Sequence, residues 1–223
     1  MSGQDTLAIE SAISGGSLAL ARDRLIIAEW EGSEGDLRSE ELLSRISEIM
    51  ASAGVSIHDL AQIAVSNGPG SYTGIRVGIA TAIGLAASRG IPCRGISVMT
   101  SVARRAVQED DRAVAVPLGR GNYCWRVFSG PGADLRCGEI FVGSIIELGE
   151  FAAASPNTPV MAHDEAFQSI SGVAGSVEPP SNILNIGRNL AKIIAQEPEA
   201  MDDGLEPFYA RKATSAGDNF GKQ

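Results

Sequence analysis

The sequence predicts an α/β protein, because strand-like apolar runs alternate with long amphipathic helices from Thr6 to Val107. Strand character resumes at Ala113, beyond the acidic cluster Glu109-Asp110-Asp111, so this cluster is the predicted boundary between two parts. A chain of 223 residues is long enough for one large or two small domains. Its 44% hydrophobic and 20% charged residues are typical of a folded globular protein.

Charge and cysteine content narrow the classes of function. The 18 Lys and Arg residues against 27 Asp and Glu residues give a net charge of −9, which disfavours non-specific binding to nucleic acid or anionic membrane. Any RNA is therefore expected to be held mainly by a partner. The start is polar, and no apolar run is long enough to span a bilayer, so we expect a soluble, cytoplasmic protein. The spacing of the three cysteines fits neither a disulfide framework nor a zinc site.

The first part opens with a predicted antiparallel meander. Its three strands begin at Thr6, Leu18 and Leu25, and turn-forming residues separate them. A helix is predicted from an N-cap at Ser39 to a terminal glycine at Gly54. A short strand from Gln62 to Ser66, a second long helix ending at Gly90, a strand from Arg94 to Val98 and a helix capped by Thr100-Ser101 follow in order.

The two long helices are the candidate binding elements. Each carries a continuous apolar stripe, and the second also carries Gly74, Gly78 and Ala82 at a spacing of four. A stripe of small residues allows a second helix to approach closely, so either internal packing or a groove for a partner helix fits this pattern. The predicted partner interface comprises Leu42, Leu43, Ile46, Ile49, Met50, Gly74, Ile75, Gly78, Ile79 and Ala82.

The second part repeats the strand pattern. Strands are predicted over residues 113–118, 123–128, 136–142 and 159–162, with helices over 147–154 and 182–196. We therefore predict an N-terminal subdomain over 1–108, a C-terminal subdomain over 109–214 and a flexible tail over 215–223.

A long motif, NGPGSYTGIRVGIATAIGLAASRGIP from Asn67 to Pro92, closely resembles the signature of the TsaB family, also called YeaZ. The resemblance extends to TLAIESAISGGSLAL from Thr6, SEELL from Ser39, GISVMTSVA from Gly95 and PFYAR from Pro207. It covers nearly the whole chain and is weak from Arg112 to Pro198. It implies an actin-like, Hsp70-type (ASKHA) duplicated fold with two small mixed-sheet subdomains and flanking helices.

By the same resemblance the chain would be an accessory subunit in tRNA modification. It would bind TsaD and, together with the ATPase TsaE, support transfer of a threonylcarbamoyl group to adenosine 37 of tRNAs that read codons beginning with A. TsaD would carry the catalysis, tRNA would be contacted through the complex, and the isolated chain is expected to form a homodimer. We expect no tightly bound cofactor, and we leave open ATP or ADP with Mg²⁺ at the complex interface.

The chemistry of the side chains agrees with a non-catalytic subunit. His58 and His163 are far apart in the sequence, so neither belongs to a pair at helical spacing that could bind a metal. Cys93 and Ser97 have no visible His and Asp partners, so a peptidase has little support. We predict no catalytic residue and no metal ligand.

The glycine turn keeps a nucleotide site open. Gly68-Pro69-Gly70 between a strand and a helix could offer N–H groups to a phosphate. The P-loop pattern is absent, and a simple tight turn is the favoured interpretation. Glu10 ends the first strand, where actin-like folds often place a carboxylate near the nucleotide. The nucleotide-proximal candidates are Glu10, Gly68, Gly70, Ser71, Thr73 and Arg76. The competing hypothesis is therefore a free-standing actin-fold ATPase or small-molecule kinase.

The chain departs from the family in its second half. The family motif Asp-Ala-Arg-x-Gly-Glu-Val-Tyr is replaced by LGRGNYCW from Leu118, which includes Asn122 and Tyr123. The Arg and an aromatic residue are retained, whereas the carboxylates are absent. Any role that the family gives to those carboxylates is in doubt for this chain.

Overall fold

The computed structural model describes residues 5–13, 15–32, 41–104, 110–131, 134–162, 186–196 and 204–210. Several predictions concern residues outside these ranges: the cap at Ser39, the surroundings of His163 and the tail from residue 215. The predicted subdomain boundary at residues 108–109 also lies there and stays a prediction.

A five-stranded mixed sheet forms the first half. Its order is β3-β2-β1-β4-β5, with antiparallel pairing within β1–β2–β3 and parallel pairing of β4 to both β1 and β5. The predicted meander is therefore confirmed. The strands are β1 (Asp5–Glu10), β2 (Ser17–Arg22), β3 (Leu25–Glu31), β4 (Leu60–Ser66) and β5 (Cys93–Ile96).

Two helices cover one face of this sheet. Helix α1 (Leu42–Ser52) packs on β2 and β3, and α2 (Tyr72–Arg89) packs on β4 and β5. Gly54 ends α1 with φ of 63°, and the N–H of Val55 bonds back to the carbonyl of Met50, as in a Schellman motif. Gly90 ends α2 in the left-handed conformation, as the sequence predicts.

A four-stranded sheet in the second half repeats this arrangement. Its order is β8-β7-β6-β9, an antiparallel meander with β9 parallel to β6. Both sheets thus contain a meander whose first strand pairs in parallel with a later strand, as a duplicated fold requires. The strands are β6 (Arg112–Gly119), β7 (Asn122–Ser129), β8 (Arg136–Ser144) and β9 (Val160–Ala162).

The helices of the second half serve different sheets. Helix α4 (Ile145–Ala154) starts with a capping box formed by Ser144 and Glu147, and it packs on β7 and β8. Helix α5 (Ile186–Gln196) instead packs on β1 and β2 of the first sheet. It covers the face that α1 and α2 leave open, and the small side chains of Ala8, Ala19 and Ala64 alternate onto that face.

A short helix connects the two sheets, and here the sequence prediction is wrong. Helix α3 (Val98–Ala103) begins directly after Ser97. The sequence pattern instead predicts Val98 as the end of a strand and Thr100-Ser101 as the N-cap of the helix. All six residues of α3 are buried, and the helix packs on both β6 and α5. Burial on every side leaves no amphipathic period in the sequence to mark its start.

Candidate functional site

The turn between β4 and α2 is fixed by close backbone contacts. The Gly68–Pro69 peptide bond is cis, and Gly68 and Gly70 have φ of 108° and 155°. A Cβ on Gly70 would lie 2.2 Å from the carbonyl oxygen of Ala12, and one on Gly68 would lie 2.6 Å from that of Phe208. The glycines are therefore required by packing at this turn.

The N-terminus of α2 uses its amide groups within the chain. The Ser71 N–H donates to the Ala12 carbonyl at 2.6 Å, and the Gly74 N–H donates to Ser71 Oγ at 3.3 Å. Ser11 Oγ adds a hydrogen bond of 2.9 Å to the Gly74 carbonyl. Since both N–H groups are already engaged, this conformation does not offer them to a phosphate.

Glu10 lies beneath the same turn. Its side chain is 2% exposed, and Oε1 accepts from the N–H groups of Ala12 at 2.5 Å and Ile13 at 2.8 Å and from Ser66 Oγ at 3.4 Å. Burial raises the pKa of Glu10 to about 7, although these three hydrogen bonds lower it. Glu10 therefore orders the loop that the α2 N-terminus rests on.

The small-residue stripe of α2 faces the interior. A Cβ on Gly74 would lie 1.9 Å from the Ser11 carbonyl oxygen, and one on Gly78 would lie 2.3 Å from Ser11 Oγ. Of the two interpretations that the spacing left open, the contacts favour internal packing.

Most of the residues assigned to the partner interface are buried within the chain. Gly74 is half-buried and Leu43 is 56% exposed. The remaining members contribute to the chain's own core, so in this conformation they are not available to touch a partner. These buried members are Leu42, Ile46, Ile49, Met50, Ile75, Gly78, Ile79 and Ala82.

The opposite side of α2 is exposed and largely apolar. Ile83 is 44% exposed, and Gly84 has open space around it. We call this side the outer face of α2, and Arg76 carries its single charge. It comprises Tyr72, Thr73, Arg76, Ala80, Ile83, Gly84 and Ala87. Of the nucleotide-proximal candidates, Thr73 and Arg76 thus lie on this face, whereas Glu10 is beneath the turn.

Five residues of this face are absent from both predicted sets of site residues: Tyr72, Ala80, Ile83, Gly84 and Ala87. The available signal was that α2 is apolar on nearly all sides, which is typical of a helix covered on both faces.

Residues 204–210 form a second contact with this helix. The Phe208 N–H donates to the Asn67 carbonyl at 2.8 Å, and Asn67 Nδ2 donates to the Gly204 carbonyl at 2.9 Å. The ring of Tyr209 then lies 4.9 Å from that of Tyr72. Residues 207–210 are therefore held against the start of α2.

Side chains that could bind a metal ion are scattered over the described part of the chain. Among the described residues, no three His, Cys, Asp or Glu side chains are close enough to hold a metal ion. His58 is exposed beside α2, and burial raises the pKa of the Cys124 thiol to about 12. In the described part of the chain, none of the helices is long and apolar enough to cross a membrane.

The replaced family motif forms the hairpin between β6 and β7. Gly119, Arg120 and Gly121 all have positive φ, and Leu118 and Tyr123 pack into the core. This hairpin occupies in the second sheet the place that the loop after Glu10 occupies in the first.

Two sheets of matching topology, with a glycine turn at the start of a helix, give the chain a duplicated actin-like fold. A solved structure of YeaZ from Pseudomonas aeruginosa has this fold, with a TM-score of 0.71 at 19% identity, and the match covers 93% of this chain and 100% of that one. The predicted fold class is therefore confirmed.

Curated relatives show which proteins the sequence resembles. The family model described as "TsaD: tRNA N6-adenosine threonylcarbamoyltransferase" matches residues 36–125. TsaB of Escherichia coli is 31% identical over 135 residues, which cover 60% of this chain and 52% of that protein. TsaB of Buchnera aphidicola is 33% identical over 122 residues, covering 53% and 58%. The chain thus matches about half the length of these curated relatives, and they confirm its predicted likeness to the TsaB/YeaZ family.

Proposed function

We propose that this chain acts in the biosynthesis of threonylcarbamoyladenosine in tRNA, as a non-catalytic subunit that binds a TsaD-type transferase. The observation that carries the proposal is the outer face of α2, an apolar helix surface left uncovered in the described structure. The names of the TsaB relatives supply the pathway.

The finer assignment follows the family resemblance. A TsaE-type ATPase would complete the system, and the modified base would be adenosine 37 of tRNAs that read codons beginning with A. The protein would act in the cytoplasm. The net charge of −9 supports tRNA being held mostly by the partners. ATP or ADP with Mg²⁺ would bind at the shared interface rather than tightly to the isolated chain.

The docking surface that we propose differs from the set of residues predicted from the sequence. It consists of the outer face of α2 together with Leu43 on α1, and both helices cover the same face of the first sheet. The buried residues of the predicted set act indirectly, since they hold the two helices on the sheet. A Gly78→Leu variant would therefore test the fold and not the contact.

The decisive experiment is reconstitution of the modification. Purified TsaD-type and TsaE-type proteins of the same organism would be incubated with unmodified tRNA, ATP, threonine and the enzyme that makes threonylcarbamoyl-adenylate. Product nucleoside would be measured by mass spectrometry with and without this chain. We expect product only when the chain is present, and equal product without it would overturn the accessory role.

A matched pair of variants tests the docking surface. Ile83→Asp places a charge on the outer face of α2, whereas Ile146→Asp places one on an exposed position of α4, where Ile146 is 69% exposed. We expect Ile83→Asp to abolish measurable binding to the TsaD-type protein and Ile146→Asp to leave it unchanged. Equal affinities of both variants would exclude this face.

The same surface is proposed to pair with a second copy when no partner is present. An exposed apolar helix face tends to be covered in solution, and two-fold pairing is the common outcome. Light scattering should show a dimer that Ile83→Asp converts to a monomer. A wild-type chain that stays monomeric at high concentration would contradict this.

The alternative function is an actin-fold ATPase or kinase. Its support is the position of Glu10 beside the glycine turn, with one carboxylate oxygen accepting all three hydrogen bonds. It requires ATP binding by the isolated chain, which calorimetry with ATP and Mg²⁺ measures directly. Binding that is lost in Glu10→Ala and kept in Glu48→Ala would favour this alternative over the accessory role.

A further inference from the structure

Residues 204–210 fasten an aromatic side chain to the docking surface. The hydrogen bonds between Asn67 and this segment fix its path, and a Cβ on Gly95 would lie 1.8 Å from the Gly204 carbonyl oxygen. The segment therefore approaches β5 closely before it reaches the start of α2. Tyr209 is held in place from a part of the chain distant in sequence.

Tyr209, Tyr72 and Arg76 form one cluster. The rings of Tyr209 and Tyr72 are 4.9 Å apart and inclined by 31°, and the Arg76 guanidinium lies 5.2 Å from the Tyr72 ring centre. Arg76 Nη1 also donates a hydrogen bond to the Tyr72 hydroxyl. The guanidinium is therefore held in one direction before any partner arrives.

Arg76 retains most of its hydrogen-bonding capacity. A guanidinium has five N–H donors, and the Tyr72 hydroxyl takes one of them. Within the described residues no carboxylate pairs with Arg76, whereas Arg22, Arg45 and Arg188 each pair with one. The net charge is −9, and this ordered cation lies on an apolar face with no carboxylate partner among the residues that the structure describes. It is therefore well suited to bind an acidic group outside the chain.

We infer that Arg76 is the charged anchor of the docking surface, and that it binds a carboxylate on the partner while Tyr209 positions it through Tyr72. This inference rests on the proposed docking function. It specifies a partner surface with an apolar helix face and an Asp or Glu beside it. Arg and Tyr are among the side chains enriched at the residues that dominate protein interfaces. A planar guanidinium also bonds a carboxylate through two donors at once.

The first test measures the affinity of the full chain for the TsaD-type protein by calorimetry. Arg76→Glu should weaken binding by about 30-fold or more, the range of a dominant interface residue. Arg76→Lys should weaken it less, because it keeps the charge and loses the paired donors. Arg136→Glu makes the same charge change on exposed β8 and should leave affinity unchanged. Raising the salt concentration should weaken the wild type more than Arg76→Ala.

The second test separates positioning from simple contact. Tyr209→Ala should weaken binding about fivefold when Arg76 is present and less than about twofold in an Arg76→Ala background. Tyr209→Phe keeps the ring and should bind like the wild type. Equal losses from Tyr209→Ala in both backgrounds would show that Tyr209 does not act through Arg76.

The outcomes distinguish this inference from the proposed function. A wild-type chain that does not bind the TsaD-type protein removes the docking function itself. If the wild type binds and Arg76→Glu has the same affinity as Arg136→Glu, only the anchoring role of Arg76 is overturned. The anchoring role is also overturned if Arg76→Glu breaks the homodimer while binding to the TsaD-type protein persists. Arg76 would then serve the contact between two copies of this chain.

Discussion

Replacing Glu10 by glutamine should remove a pH dependence of folding stability that the wild-type chain carries. Burial raises the pKa of Glu10 from 4.5 to about 7 in the folded state. The native state therefore binds this proton more tightly than the unfolded state does. The stability that the protonated carboxyl contributes is fully present below pH 4.5 and is lost as the pH rises towards 7.

The size of the effect follows from the two pKa values. One pKa unit corresponds to about 1.4 kcal/mol, so ionised Glu10 lowers the free energy of unfolding by about 3 kcal/mol above pH 7. Between pH 5.5 and 8.5, a range that avoids the pI near 4.8, the change is about 2 kcal/mol. Glutamine is nearly the same shape, and its oxygen still accepts from the N–H groups of Ala12 and Ile13.

Urea denaturation of both proteins across this pH range provides the assay, with tryptophan fluorescence as the signal. The difference in unfolding free energy between Glu10→Gln and the wild type isolates the contribution of Glu10. We expect this difference to grow in favour of the variant as the pH rises and to level off above pH 7. A constant difference, or one that shrinks with pH, would refute the reasoning, because the hydrogen bonds to Oε1 would then outweigh burial.

Three further stability predictions rest on contacts described above or on similar ones, and thermal or urea unfolding measures each. Gly70→Ala should destabilise the chain by about 2 kcal/mol or more, since the new Cβ would lie 2.2 Å from the Ala12 carbonyl oxygen at a φ of 155°. Gly84→Ala, its control on open helix surface, should stabilise the chain by about 0.5–1 kcal/mol; destabilisation there would contradict the open space. Arg112 is 1% exposed and donates to three main-chain carbonyls. Replacing it by methionine should lower the free energy of unfolding by about 2–4 kcal/mol, because those carbonyls lose their donors. A loss below about 1 kcal/mol would show that water reaches those carbonyls.

Local patterns predicted the elements of this fold well. Alternating apolar residues, Gly54 and Gly90 mark where the strands and long helices lie and where the helices end, and the structure has each of them. The start of α3 could not be found in this way, because a helix buried on every side has no polar face to define its period.

The candidate site was harder to predict because it depends on which side of α2 meets the sheet. Both sides are apolar, so periodicity locates the stripes without showing which is inside. The contact of Gly74 and Gly78 with Ser11 decides this, and it joins segments far apart in sequence. The approach of Tyr209 to Tyr72 is equally remote, and no local pattern encodes it.

The packing of α5 on the first sheet sets an order of events during synthesis of the chain. Among the described elements, α5 covers the face that carries Ala8, Ala19 and Ala64, and it can do so only once residue 196 has left the ribosome. Until then the first sheet can have α1 and α2 on one side while its other side faces water. A nascent chain stalled within the second half would therefore expose this face. The hydrogen bond from the Gly187 N–H to Ser17 Oγ could form only after Gly187 has emerged.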